Sequence, residues 1–234
     1  MITNKIKPRQ ALNKAFLRIK PIRNEFEMFK RNLITLLNQI DENEREEFHK
    51  NILTDFLKNT YYGSDYLINI KASNDLVIYN GKDTKSTVGV ILEAKKVNNN
   101  EMLKVDNLST KALQQLVLYF LRERIINKNS EIKYLIATNI QEWFIFDAAV
   151  FDSFFAQNKQ LVKQFTDFEE NRLSTSRTDF FYKEIAQPAI DKIQNQLVFT
   201  HFDIRDYERY LIHQNPENDQ KLIPLFKLFS PQHL

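Results

Sequence analysis

The sequence predicts a mixed α/β domain, a central sheet with helices on its faces. Two segments carry apolar residues at helical spacing before residue 60. Three short runs of strand character follow between Tyr66 and Ala94, the second ending at the turn pair Asn80-Gly81. A long apolar helix then precedes two further strands. The predicted order is helix, three strands, helix, two strands. The first three strands read as a meander, and the helix after them crosses over to deliver a fourth strand beside the sheet.

In order along the chain, Leu33, Leu36, Leu37 and Ile40 recur at helical spacing and predict a helix over Glu25–Ile40. Asp41, with Glu44 three residues on, reads as the N-cap of a second helix. That helix carries Phe48, Ile52, Leu53, Phe56 and Leu57 on one stripe. The pattern changes at Tyr61-Tyr62-Gly63. Tyr66–Lys71, Asp75–Tyr79 and the more buried Val88–Ala94 read as strands, with a hairpin through Gly81. Asn98–Asn107 reads as loop and Leu108–Ile126 as helix. Ile132–Thr138 and Trp143–Phe146 are strands joined by a tight turn at Asn139–Gln141, and Trp143 and Phe144 read as core. Helices are expected over Ala148–Phe165 and Arg177–Leu197. Pro216, Pro224 and Pro231 limit any helix beyond Asp203 to a short one. The chain is expected to be one domain over 1–234, with a core at about 42–150, an N-terminal helical part over 1–41 and a C-terminal helical extension over 151–234. The apolar run Ile223–Phe229 stands close to Leu234, so the sequence reads as a fragment of a longer protein.

Composition removes several classes. The chain has 234 residues, 43% hydrophobic and 27% charged, with 19 Phe and 9 Tyr, enough for a sizeable core and against disorder throughout. It has no cysteine, which excludes disulfides, zinc–thiolate sites, iron–sulfur clusters and a cysteine nucleophile. No apolar run approaches the ~18 residues of a membrane span, and no secretory signal opens the chain. A cytoplasmic location is expected, which fits the lack of cysteine. The net charge of +3 permits contact with a polyanion without demanding it. His49, His201, His213 and His233 form no i, i+4 ligand pair. The basic N-terminal residues Lys5, Lys7, Arg9, Lys14, Arg18, Lys20 and Arg23 read as a solvated helix face, with contact to DNA backbone as the alternative.

The residues that point to chemistry lie in Val88-Gly89-Val90-Ile91-Leu92-Glu93-Ala94-Lys95-Lys96. Side chains alternate along a strand, so Glu93 and Lys95 share one face while Leu92 and Ala94 take the other. Asp75 opens the preceding strand, and the hairpin brings it towards Glu93. Two carboxylates and a lysine suit phosphodiester hydrolysis. Mg²⁺ takes oxygen ligands and acidifies bound water, and an ammonium offsets charge on the transition state. On the following helix Gln115 and Tyr119 are spaced i, i+4 and share a face.

Asp75, Glu93-Ala94-Lys95, Gln115 and Tyr119, in this order, resemble the PD-(D/E)XK nuclease superfamily. The flanking segments Phe48–Leu53, Tyr61-Tyr62, Asp75–Gly81 and Thr138–Asp147 are similar to the N-terminal nuclease region of type IIG restriction–modification enzymes. The resemblance covers roughly residues 10–234. It implies a restriction-endonuclease-like core in αβββαβ order with extra N- and C-terminal helices. It also implies an Mg²⁺-dependent endodeoxyribonuclease, with Mn²⁺ as a substitute, acting on double-stranded DNA, with a homodimer possible. The implied metal ligands are Asp75, Glu93 and the Ala94 carbonyl, with Lys95, Gln115 and Tyr119 catalytic. Glu47, with Glu46 as the alternative, is the implied acid on the helix before the sheet. Methyltransferase and target-recognition domains are expected in the full-length chain. Asn74 stands where relatives often have proline, and Asn215-Pro216-Glu217 lacks the aromatic residue of a methyltransferase motif. The alternatives are the nuclease of a type I restriction subunit, a repair nuclease, or an inactive DNA-binding or assembly module of the same fold.

Overall fold

The computed structural model describes residues 4–63, 65–71, 75–212 and 215–234, without the side chains of Lys71 and Asp75. In chain order the chain forms β1 (Lys5–Ile6), α1 (Pro8–Ala11), α2 (Lys14–Arg18), α3 (Arg23–Asn38) and α4 (Glu46–Leu57). Next come β2 (Ile68–Lys71), β3 (Asp75–Tyr79), β4 (Val88–Ala94), α5 (Lys111–Leu121), β5 (Tyr134–Thr138) and β6 (Glu142–Asp147). The remainder is α6 (Ala148–Phe151), α7 (Lys159–Glu169), α8 (Thr178–Phe180), α9 (Gln187–Ile193), β7 (Phe199–Asp203), α10 (Glu208–Ile212) and α11 (Pro216–Leu228). Widened π-type turns extend α4 to Tyr62 and α5 to Ile126.

The strands form one seven-stranded mixed sheet in the order β1-β7-β6-β5-β4-β3-β2. β2, β3 and β4 are the expected antiparallel meander. β5 lies parallel to β4 after the crossover through α5, with Glu93 beside Ala137 and Ala94 beside Thr138. The turn between β5 and β6 is built by Ile140 at φ 71° and by Trp143 Nε1–H donating to the Ile140 carbonyl at 2.7 Å. Trp143 and Phe144 are buried, as the sequence predicts.

Helices cover both faces. Val77, Ile91, Leu135 and Phe146 pack with Leu113, Leu116 and Phe120 of α5. Alternation sends Leu76, Ile78, Val90, Leu92 and Ala94 to the other face, against α3, α4 and α11. There Phe26 of α3 meets Phe226 of α11 edge-on at 5.5 Å, so the N- and C-terminal helices share one layer. Each such buried aromatic contributes about 2–3 kcal/mol of apolar transfer.

Several expectations are corrected. α4 starts at Glu46 after Arg45, not after Asp41, whose carboxylate instead accepts from Asn43 N–H at 2.9 Å and closes a local turn. The helix expected over Ala148–Phe165 is interrupted at Gln157–Asn158, where the Asn158 side chain caps α7. The expected Arg177–Leu197 helix ends at Ile193. β7 falls where no strand is expected, between the last expected helix and Asp203, and β1 lies within the part expected to be helical. Beyond Asp203 the chain is not limited to short helices, because α11 has 13 residues with Pro224 inside it. Asn215 caps that helix by accepting from Asn218 N–H, with Pro216 at its first turn, which is the structural role of the Asn-Pro pair.

Among the described residues no helix is long and apolar enough to cross a membrane. Lys5, Lys7 and Arg9 are exposed, and Arg23 pairs with Asp219 at 2.7 Å. Asn74 and His213 lie outside the described residues.

Candidate active site

β4 is buried along its whole length, and its last turn of alternation places Glu93 and Lys95 on the α5 side of the sheet. Lys95 is anchored just past the strand, its N–H donating to the Thr138 carbonyl at 2.8 Å. Lys95 Nζ stands 3.0 Å from Glu93 Oε1. Glu93 is 0% exposed and Lys95 3%. Lys95 is the charged partner that reaches Glu93, and both Glu93 oxygens are shielded from water. A buried carboxylate ordinarily collects such partners.

Two further acids close on the ammonium. Glu46 Oε2, from the first turn of α4, is 3.8 Å from Lys95 Nζ, and its Oε1 is 3.0 Å from Lys50 Nζ. Glu101 Oε2 is 3.3 Å away, and its Oε1 takes a hydrogen bond from Lys111 at 3.1 Å. Burial pushes the Glu93 carboxyl above its ordinary range, against the pull of Lys95 and Lys50. Burial alone lowers the Lys95 ammonium, but Glu93, Glu46 and Glu101 together outweigh it and hold the group above its ordinary value. Lys95 is therefore a charged ammonium at neutral pH. Burial likewise opposes ionisation of Glu101, and Lys111 and Lys95 more than offset it.

The remaining predicted residues fall as follows. Ala94 ends β4 fully buried. Gln115 and Tyr119 are buried on α5, which packs against β4, and Gln115 Nε2 faces the Tyr119 hydroxyl at 3.4 Å. Gln115 Oε1 is a shielded oxygen with no donor. The acid of α4 that reaches Lys95 is Glu46. Glu47, the first choice from sequence, is exposed because one residue turns the helix by about 100°. Asp75 opens β3, and its side chain lies outside the description. The register Leu76↔Leu92 and Val77↔Ile91, carried one step, brings position 75 opposite position 93.

Sequence reading missed Glu101 and Lys50. Glu101 sits in irregular chain with no periodicity to expose it. Lys50 is four residues after Glu46, a spacing that marks an ion pair on a helix. His49 is also buried here on α4. Its Nδ1 lies 3.0 Å from the Arg45 carbonyl, which only accepts, so Nδ1 donates there, and Nε2 is shielded with no hydrogen-bond partner.

Among the described residues, no three His, Cys, Asp or Glu side chains stand close enough together to hold a metal ion. The family described as a domain of unknown function (DUF7149) matches residues 6–234, and the chain belongs to that family. Neither the curated proteins nor the solved structures contain a match to it.

Proposed function

We propose that this chain is a metal-dependent DNA endonuclease domain with a restriction-endonuclease-like core, of the type found in type IIG restriction–modification enzymes. The observation that carries the reading is the Glu93–Lys95 pair, a buried carboxylate 3.0 Å from an ammonium, at the end of a core strand. An alternating meander, a crossover helix and a parallel strand supply the αβββαβ order around it.

The donors fit a hard cation. Glu93 offers two oxygens shielded from water, one of them 3.0 Å from the Lys95 ammonium. The Ala94 carbonyl and Asp75, at a register position opposite Glu93, are the other oxygen donors the reading assigns to Mg²⁺ or Mn²⁺. Once bound, such an ion neutralises phosphate charge and makes a coordinated water more acidic. Lys95, kept protonated by its three carboxylates, acts by placing positive charge beside a scissile phosphate rather than by taking a proton. Gln115 and Tyr119 are assigned to orienting the substrate's phosphate or its water. Glu46 holds Lys95 and Lys50 in place.

A second reading, an inactive DNA-binding or assembly module, is favoured by one observation: Lys95 is already ringed by Glu93, Glu46 and Glu101, as in a structural ion network. Calorimetric titration with Mg²⁺ and Mn²⁺, run beside a plasmid-nicking assay, separates the two. The nuclease reading expects cation binding and strand breaks that EDTA abolishes. DNA binding with neither cation uptake nor strand breaks establishes the inactive module instead.

A further inference from the structure

Three segments far apart in the chain meet in an open cavity of about 660 Å³ at one end of the sheet. Lys7 comes from the cap of α1, Arg205 and Tyr207 from the helical turn after β7, Arg209 and Tyr210 from α10, and Lys221 from α11. All four basic residues are exposed, and the one acid on the wall is Asp206. Arg205 is held by a fork of contacts to Asp203, with Nε 2.9 Å from Oδ1. Among the described residues, Lys7, Arg209 and Lys221 form no ion pair with a carboxylate. The Arg209 guanidinium sits over the Tyr210 ring, 4.7 Å from its centroid, and donates to the Tyr210 hydroxyl at 2.6 Å. Tyr207 meets Tyr210 edge-on at 6.4 Å. Three cations with no carboxylate ion-pair partner, against Asp206 on the same wall, suit contact with a phosphate backbone.

The place of the cavity gives it a meaning. Ala94 pairs with Thr138, Thr138 with Trp143, and Glu142 with Asp203. The end of β7, which leads straight into Arg205, therefore lies at the same end of the sheet as Glu93 and Lys95, three strands across. Three strand spacings amount to about 14 Å, the axial rise of about four base pairs.

We infer that the Lys7–Arg205–Arg209–Lys221 cavity grips the phosphate backbone of double-stranded DNA whose neighbouring stretch lies at Glu93 and Lys95. The inference rests on the nuclease reading for the second half of that statement, while the grip itself is measured without catalysis. Each phosphate lost lowers the slope of log K against log salt by about 0.9. The test is fluorescence anisotropy of a labelled duplex in EDTA, over a salt series, with the whole chain and with Arg209→Ala/Lys221→Ala. Both residues are exposed, so the variant is expected to melt as the wild type does. The expected result is a Kd at least tenfold higher, a salt slope smaller by about 2, and partial recovery with Arg209→Lys/Lys221→Arg. Unchanged affinity and slope in the alanine variant overturn the inference, as does a wild-type chain that does not bind duplex DNA or that prefers duplex RNA. If Glu93→Gln leaves strand cleavage untouched while the alanine variant loses DNA, the nuclease reading fails and the cavity stands. If cleavage depends on Glu93 but the alanine variant binds and cuts as the wild type does, the cavity fails alone.

Discussion

Lys95 Nζ and Glu93 Oε1 are 3.0 Å apart, and both side chains are cut off from solvent at the end of a core strand. Two charges in that position are costly to bury and more costly to separate. The arrangement persists because the three carboxylates around one ammonium leave no buried charge wholly unpaired.

Stability should respond unequally to removing either partner. Lys95→Met leaves the Glu93 carboxylate buried without its cation and is expected to cost about 3 kcal/mol at pH 7. Adding Glu93→Gln to Lys95→Met should restore part of that loss. The Lys95→Met deficit should also shrink in acid. Burial raises the folded Glu93 carboxyl above its unfolded value, so the charged form opposes folding and the penalty is relieved as pH falls through the folded pKa. Urea unfolding of the two variants at pH 5 and 7.5 measures both effects.

Asp219 links two helices that share one layer. It lies 3.0 Å from Lys30 Nζ of α3 and 2.7 Å from Arg23 Nη1. Burial alone raises its carboxyl, but the hydrogen bonds from Lys30 and Arg23 prevail and hold it below the ordinary value. A depressed carboxyl contributes stability above its unfolded pKa and loses it as pH falls through the folded one. Asp219→Asn is expected to cost about 1 kcal/mol at neutral pH, reduced by solvent at the rim, and nothing once Asp219 itself is protonated. Thermal melts at pH 7 and below pH 3 compare the two conditions.

The His233 ring packs 4.9 Å from the Tyr134 ring, and burial pushes its pKa down to about 4. The unfolded chain therefore binds a proton at a pH where the native chain does not. Stability should be intact above about pH 6.5 and decline as pH falls towards 4, by on the order of 2 kcal/mol. His233→Phe should flatten that part of the stability–pH curve, as read by chemical denaturation.

Gly63 ends the extension of α4 at φ 44°, ψ −127°, a backbone region that side chains avoid. A Cβ there meets no neighbouring atom within 4 Å, so only the backbone conformation matters. Gly63→Ala is expected to lower stability by about 1–2 kcal/mol with no change in packing, seen as a lower denaturation midpoint at unchanged m.

Local chemistry made the centre of the fold legible and left its margins obscure. β3 and β4 are continuous Val/Ile/Leu runs around Asn80-Gly81, and the period of two that defines them also places Glu93 beside Lys95. β7 could not be read in this way, because Phe199-Thr200-His201-Phe202-Asp203 is short and mixed and becomes a strand only by pairing with β6. β1 has two residues and depends on β7 in turn. α11 tolerates Pro224 because Leu222, Leu225, Phe226 and Leu228 are buried against the sheet layer, and such burial offsets the cost of about 3 kcal/mol for proline inside a helix. At the site, choosing Glu46 over Glu47 required the phase of α4, which depended on where the helix begins. Asp41-x-x-Glu44 was a plausible but unused cap. Glu101 belongs to the cluster only through the path of an irregular loop.

The most direct measurement is the rate of strand breakage in supercoiled plasmid with Mg²⁺, for the wild-type chain against Glu93→Gln and Lys95→Met, each shown to be folded at the assay temperature. The account predicts cleavage by the wild type and a fall of at least about 10³-fold in each variant, in line with losing a group that stabilises transition-state charge. Cleavage at the wild-type rate by either folded variant would contradict it.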